Sequence, residues 1–372
     1  MPPLVSICVP NLNTRPYLPE RFATIFDQTY ANWEIIVSDN FSEDGAWEYF
    51  QELARNDSRI SIAQAPRAGM YANWNNCIRR ARGEYVYVAT SDDTMAPDFL
   101  ARTVQALEEH PECDLAHTLI RMVGDGAADL QRGWEEGLIF ARSSGELLRK
   151  PHVRRAPFDG LLHLSGATVF TSITQLLVRR TLFDRIGYFE GGWGSVGDFN
   201  WDMRASLVAS TVHVPQTWGG WRIHHSQATS AVDYRSKAHE IRIDEMIEHA
   251  LETSGPLLAP TLGARLRTEW APFAREMRHL IREASSIESA AGRWVFHTGK
   301  AMGGSRAAAR HILSRLAGRA VWPASVPGQV REWLSSEGIQ EPLSPGADPA
   351  LAARSEFQPL QPICPIPGEQ SR

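Results

Sequence analysis

Leu4-Val5-Ser6-Ile7-Cys8-Val9 runs directly into Pro10-Asn11-Leu12-Asn13, and Trp33-Glu34-Ile35-Ile36-Val37-Ser38 runs in the same way into Asp39-Asn40. Each is a near-continuous apolar run, as expected of a strand covered on both faces, and each is stopped by turn-forming residues. Residues 17–28 between them carry a helical pattern. Strand, helix and strand make a βαβ unit with parallel strands. The alternation continues: a helix over 46–56, a shorter strand over 60–63, and a helix over about 73–81 that stops at Gly83. A fourth strand, 85–89, leads into Ser91-Asp92-Asp93, followed by a helix over 97–110 and a strand over 115–121.

Further out the pattern weakens. Residues 123–164 scatter Gly, Arg and Trp, and read as an irregular insertion. A strand over 173–178 and a short helix over 181–186 restore order. Gly191-Gly192-Trp193-Gly194-Ser195-Val196-Gly197 is a glycine-rich loop ahead of a helix over 198–210, and a last strand-like piece ends at Trp221-Arg222-Ile223-His224-His225. The expectation is one α/β domain at 1–230, with a donor half at about 1–121 and an acceptor half at about 122–230. A helical extension over 231–322 follows. The remainder, 323–372, is rich in Pro, Ser and Gly and is expected to be disordered.

Composition sets limits. With 43% hydrophobic and 22% charged residues, the chain has the make-up of a globular protein. A net charge of -5 argues against general nucleic-acid binding, which needs a basic surface. No run approaches the roughly 18 apolar residues of a spanning helix. Met1 to Pro10 lacks a basic leader and is not expected to be a signal peptide. Cys8, Cys77, Cys113 and Cys364 form no CxxC pair, so reduced thiols in a cytoplasmic protein are expected.

Ligands of open parallel sheets bind beyond the carboxyl ends of the strands. Three polar groups fall there: Pro10–Asn13 after the first strand, Asp39 after the second, and Asp92-Asp93 after the fourth. No GxGxxG follows the first strand and no GxxxxGK[ST] occurs anywhere, so a diphosphate in this crevice calls for a metal ion. Asp92-Asp93 offers hard oxygen ligands for Mg²⁺ or Mn²⁺, although an acid ahead of a helix also caps it. Asp39 is placed to accept from a base N–H or a ribose hydroxyl, or to form a turn. Asp198, beside the glycine-rich loop, is a candidate general base and equally a helix cap. Trp193, Trp201, Trp218 and Trp221 crowd the same half, where core packing is the simpler expectation.

Taken as an ordered series, these stretches resemble glycosyltransferase family 2, the GT-A fold. Val9-Pro10-Asn11-Leu12-Asn13, Trp33 to Asn40 and Ser42-Glu43-Asp44-Gly45 look like its opening. Asn73-Trp74-Asn75 through Gly83-Glu84-Tyr85 to Ser91-Asp92-Asp93 is similar to the approach to its acidic motif. Arg179-Arg180, Gly187-Tyr188-Phe189-Glu190 and Gly197-Asp198 resemble its acceptor side. The resemblance covers about 4–230 and implies a GT-A-like, single Rossmann-like nucleotide-binding α/β domain with a mixed central sheet. It also implies a nucleotide diphosphate sugar as donor, bound by Pro10, Asn11, Asn13, Asp39, Asn73 and Asp92. The ion, Mn²⁺ or Mg²⁺, falls to Asp93 and His224, the diphosphate to Arg222 and the general base to Asp198. Two departures stand out: Gly197 occupies a place where the family often has Glu, and Asp39-Asn40-Phe41-Ser42 replaces the more frequent Asp-Asp-Gly-Ser.

The expected activity is therefore inverting transfer of a hexose-type sugar to a saccharide or lipid-linked acceptor, in the manner of bacterial surface-polysaccharide assembly. A sugar-phosphate nucleotidyltransferase needs a similar crevice, but would start with a basic, glycine-rich loop. A degenerate carbohydrate-binding subunit is the non-enzymatic alternative. Finally, 293–319 carries Arg293, Lys300, Arg306, Arg310, Arg315 and Arg319 with no acid among them. Such a stretch suits peripheral contact with an anionic membrane at the inner face of the plasma membrane, or a solvated helix face.

Overall fold

The computed structural model describes residues 2–124, 148–224, 227, 232–233, 236–276, 278, 326–339 and 343–345. In chain order these give β1 (Val5–Asn11), α1 (Leu18–Phe26), β2 (Trp33–Asp39), α2 (Ala46–Asn56), β3 (Ile60–Gln64), α3 (Met70–Arg80), β4 (Tyr85–Val88), β5 (Thr94–Met95) and α4 (Phe99–Glu109). There follow β6 (Cys113–Val123), β7 (His152–Arg154), α5 (Phe158–Leu164), β8 (Leu176–Arg179), α6 (Thr181–Ile186), α7 (Gly197–Val208) and β9 (Ser210–Arg222). Last come α8 (Lys237–Thr253), α9 (Pro260–Arg265), α10 (Val326–Ser336) and β10 (Leu343–Pro345).

The strands form one mixed sheet in the order β10-β7-β9-β6-β8-β4-β1-β2-β3, with β5 paired to β9. β3, β2, β1 and β4 run parallel, as the apolar runs require. β8 lies antiparallel between β4 and β6, and β9 returns parallel to β6. Alternate residues feed two cores. Ile7, Val9, Ile35, Val37, Tyr85 and Tyr87 meet Phe22, Phe50, Phe99 and Leu100 of α1, α2 and α4. Cys8, Ile36, Val86 and Val88 face the opposite layer with Trp74, Cys77, Phe183, Trp201 and Leu207. In register, Asn11 lies beside Asp39. The sheet thus delivers the expected polar groups to one edge.

Three expectations need correcting. The insertion read over 123–164 is not irregular throughout. Residues 125–147 lie outside those described, but β7 joins the sheet and α5 is buried along its whole length. Its polarity hid this: Arg154 and Asp159 are both buried and satisfy each other at 2.7 and 2.9 Å. The strand expected at 173–178 begins as a 3₁₀ turn, Ile173–Gln175, because Ser172 and Gln175 cap it reciprocally. The strand proper is β8. Nor is the tail wholly without structure, since α10 buries Val326, Val330 and Leu334 against the second core. Those positions, spaced by four, were masked by Pro, Ser and Gly around them.

Cys8, Cys77 and Cys113 are buried and unbridged, and Cys364 lies outside the described residues. So do His225 and the basic stretch 293–319. No described helix is long and apolar enough to cross a membrane.

Candidate active site

At the ends of β1 and β2 the polar side chains knit the loops together. Asp39 is fully buried and accepts from Asn11 Nδ2 at 2.8 Å, Ser42 N at 2.9 Å and Ser42 Oγ at 2.5 Å. Asn13 N donates to Ser42 Oγ at 2.9 Å, and Glu43 N donates to Asn13 Oδ1 at 2.8 Å. Asn73 Nδ2 reaches Asn11 O at 3.2 Å from α3. Asn13 and Phe41 hold left-handed backbone, φ 52° and 54°, which non-glycine residues adopt only where the surroundings impose it. Arg67 helps to impose it through its Nε, 2.9 Å from Asn40 O. Asn11, Asn13, Asp39 and Asn73 are therefore brought together around Pro10, with Asp39 serving as the pin of the loop.

After β4 the adjacent acids part company. Asp93 is 3% exposed. Its Oδ1 accepts the Arg222 N–H at 2.8 Å and its Oδ2 the Thr90 hydroxyl. Burial, and after it the charge of Asp92, raises its pKa to about 7. Asp92 is half-buried, and its Oδ2 stands 3.0 Å from His224 Nε2. His224 in turn packs on Tyr17, ring centroids 4.9 Å apart. Expectation put Asp93 and His224 on the metal, but the geometry joins His224 to Asp92 and tucks Asp93 behind them. Arg222, expected on the diphosphate, directs Nε to Asp92 O at 2.7 Å and Nη2 to Glu20. It ties the end of β9 to the acidic turn.

Asp198 sits in the first turn of α7, half-buried. Its Oδ1 accepts the Tyr71 hydroxyl at 3.0 Å and the Phe199 N–H at 3.0 Å. Burial raises its pKa, and these hydrogen bonds oppose the rise. Tyr71 belongs to α3, as does Asn73, so one helix touches both the donor loops and the candidate base. Gly197 explains the approach: a Cβ there would lie 2.6 Å from Tyr71 Cε2 and 2.8 Å from Glu190 O. Trp201 is fully buried and stacks on Phe183 at 5.0 Å, a core residue as expected. Sequence reasoning did not select Tyr71, Thr90, Ser42 or Thr14, whose hydroxyl bonds Asn11 Oδ1 and Ser91 Oγ. For Tyr71 the available signal was its place two residues before Asn73 in a segment already of interest.

Among the described residues no three His, Cys, Asp or Glu side chains form a group able to hold a metal ion. Mg²⁺ commonly takes one or two carboxylates and completes its shell with substrate phosphates and water. The Asp92 carboxylate fits that mode, with the His224 imidazole beside it as a nitrogen neighbour. The parallel half of the mixed sheet gathers asparagines, acids and a histidine at its carboxyl edge, the arrangement of a GT-A-like fold. Residues 6–186 match the family model Glycosyl transferase family 2, so this part of the chain is similar to that family.

Among curated relatives, the uncharacterized protein y4gI of Sinorhizobium fredii is 25% identical over 271 residues, 70% of this chain and 27% of that protein. The putative teichuronic acid biosynthesis glycosyltransferase TuaG of Bacillus subtilis is 28% identical over 131 residues, 35% of this chain and 52% of TuaG. The matched part thus spans about a quarter and a half of these relatives' lengths. The solved structure of S. aureus TarS 1-349 in complex with UDP-GlcNAc aligns with a TM-score of 0.57 at 14% identity, over 90% of this chain and 92% of that one. This likeness is one of fold.

Proposed function

We propose that the chain moves a sugar from a nucleotide diphosphate donor to an acceptor hydroxyl with inversion, in bacterial cell-surface polysaccharide or glycoconjugate synthesis. The carrying observation is the bridge made by α3, which joins Asn11 at the donor loops to Asp198 through Asn73 and Tyr71. UDP-GlcNAc in the TarS structure and the teichuronic acid pathway named for TuaG support the donor class and the pathway. Asp198 takes the proton of the acceptor hydroxyl, and the displacement proceeds in one step on the face opposite the leaving diphosphate. Asp92 and His224 would hold Mn²⁺ or Mg²⁺, whose charge stabilises the departing diphosphate. Asp39, Asn11, Asn13 and Asn73 shape the loops that receive the nucleoside.

The test is a thermal-shift panel of nucleotide diphosphate sugars with and without Mn²⁺, followed by NMR of the product anomer. A donor at 100 times its Kd stabilises the fold by about 2.7 kcal/mol. Asp198→Asn should lower kcat roughly 10²–10⁴-fold with donor Kd unchanged. Stabilisation by no member of the panel, or a product of retained configuration, would sink the proposal.

A further inference from the structure

The candidate base has one oxygen already engaged. Tyr71 and the Phe199 N–H both donate to Asp198 Oδ1, and among the described residues no donor reaches Oδ2. The tyrosine is held firmly: 2% exposed, edge-on to Trp74 at 5.0 Å, and stacked on Phe189 at 5.9 Å and 16°. Its ring fills the volume that a side chain at Gly197 would need. A phenol fixed in this way can set the plane of the carboxyl group it touches.

We propose that Tyr71 is the positioning residue of the general base, holding the Asp198 carboxyl in one orientation and in its ionised form, with Oδ2 left to receive the acceptor proton. The inference rests on the reading of Asp198 as the base. In the transfer the acceptor O–H bond breaks and its proton passes to Oδ2. The acceptor oxygen bonds the sugar carbon, and the sugar–diphosphate bond breaks with its electron pair leaving on the diphosphate. Tyr71 keeps its proton throughout, because burial pushes its phenol far above the usual range.

The charged surroundings give this hydrogen bond weight. One turn further along α7, Asp202 is 6% exposed, and its Oδ1 has no partner. Burial first, and the charge of Asp198 second, push its pKa well up. On α7 itself Arg204 faces Glu190 at 3.7 Å, and His249 of α8 faces the same Glu190 at 3.3 Å, so both are directed at Glu190. No described cation pairs with Asp198. Burial therefore works against its ionised form, and the Tyr71 hydroxyl is what opposes that from a side chain.

Tyr71→Phe keeps the ring and removes the donor. Two measurements on the full chain test the proposal. In ¹³C NMR with Asp carboxyls labelled, Asp198 is assigned by its absence in Asp198→Asn. Its pKa should rise by about one unit in Tyr71→Phe, the shift expected on losing a hydrogen bond to a charged group. With UDP-GlcNAc hydrolysis as the probe, kcat should fall about tenfold on the acid side of the Asp198 titration and recover above it, where Asp198 ionises in either protein, with KM for UDP-GlcNAc unchanged. An unmoved Asp198 pKa overturns the proposal, whatever the activity. So does a loss of kcat equal at all pH values, which is the mark of a merely structural tyrosine. Wild-type turnover in Asp198→Asn removes the base reading itself, a failure distinct from an unmoved pKa in Tyr71→Phe.

Discussion

Asp92 and Asp93 are neighbours in the chain and opposites in their surroundings. Both oxygens of Asp93 serve the protein, one on the Arg222 N–H and one on Thr90, whereas Asp92 faces His224 from a half-buried position. Deleting a buried acceptor leaves its donors unsatisfied, at about 1–3 kcal/mol each for a buried polar group. Asp93→Ala should therefore cost about 2–4 kcal/mol in urea unfolding without ligand. Asp92→Ala should leave the urea midpoint within about 1 kcal/mol, while erasing the extra stabilisation that Mn²⁺ adds to a bound nucleoside diphosphate. A stable Asp93→Ala that loses only the Mn²⁺ effect would return the metal role to Asp93. Two adjacent letters in a sequence carry no sign of which one turns inward. The Arg222 N–H that settles it lies 129 residues away.

At the scale of elements, what could be read was what local physics decides. β1, β2 and β4 announce themselves because strands buried on both faces must be apolar almost throughout. Asp39, Asp92 and Asp93 follow as strand-end residues. β9 was legible only as a strand-like piece of undefined start, since its 13 residues include His213, Pro215, Gly219 and Gly220, and only contacts explain them. A Cβ on Gly219 would stand 2.1 Å from the Thr174 carbonyl oxygen, part of the 3₁₀ turn that the sequence read as strand. Likewise Tyr71 acquires its meaning from a partner 127 residues on. The strand cannot yield to backbone without moving β5, which pairs with Gly219 and Gly220 just beyond the acidic turn. Gly219→Ala is expected to destabilise by about 1–3 kcal/mol, the usual range for overpacking, and to weaken Mn²⁺-dependent nucleotide binding with it. An unchanged urea midpoint would mean that the turn at Thr174 gives way freely.

Across the whole molecule, two sets of buried ionisable groups pull stability in opposite directions with pH. β6, β9 and β7 align His117, His213 and His152 in one row. Gln175 Nε2 donates to His117 Nε2 at 3.2 Å, so His117 carries its proton on Nδ1 and passes it towards His213 Nδ1 at 2.9 Å. His213 Nε2 then donates to Leu148 O at 2.8 Å. Burial first, then nearby positive charge, holds His117 and His213 well below the usual histidine range and His163 at about 3. Below about pH 6.5 the unfolded chain protonates these groups and the folded one does not, so they withdraw stability as pH falls. Asp93, Asp198 and Asp202 have pKa values raised by burial. Above about pH 4 the folded state binds more protons there than the unfolded one, so these groups return stability as pH falls. The two sets oppose each other below about pH 6.5, so the urea midpoint should change less with pH there than above it, where the acids act alone. Asp202→Asn removes one acid from the balance. Its stability relative to wild type should grow with pH by roughly 1.4 kcal/mol per unit, up to the folded pKa of Asp202, because the charged form of that carboxyl no longer has to be buried. The amide adds a constant offset of its own, so the slope is the quantity to measure, by urea unfolding of both proteins at half-unit steps. Parallel curves would show that Asp202 is ionised in the folded protein at little cost, and the buried acids of α7 would then have no part in the balance.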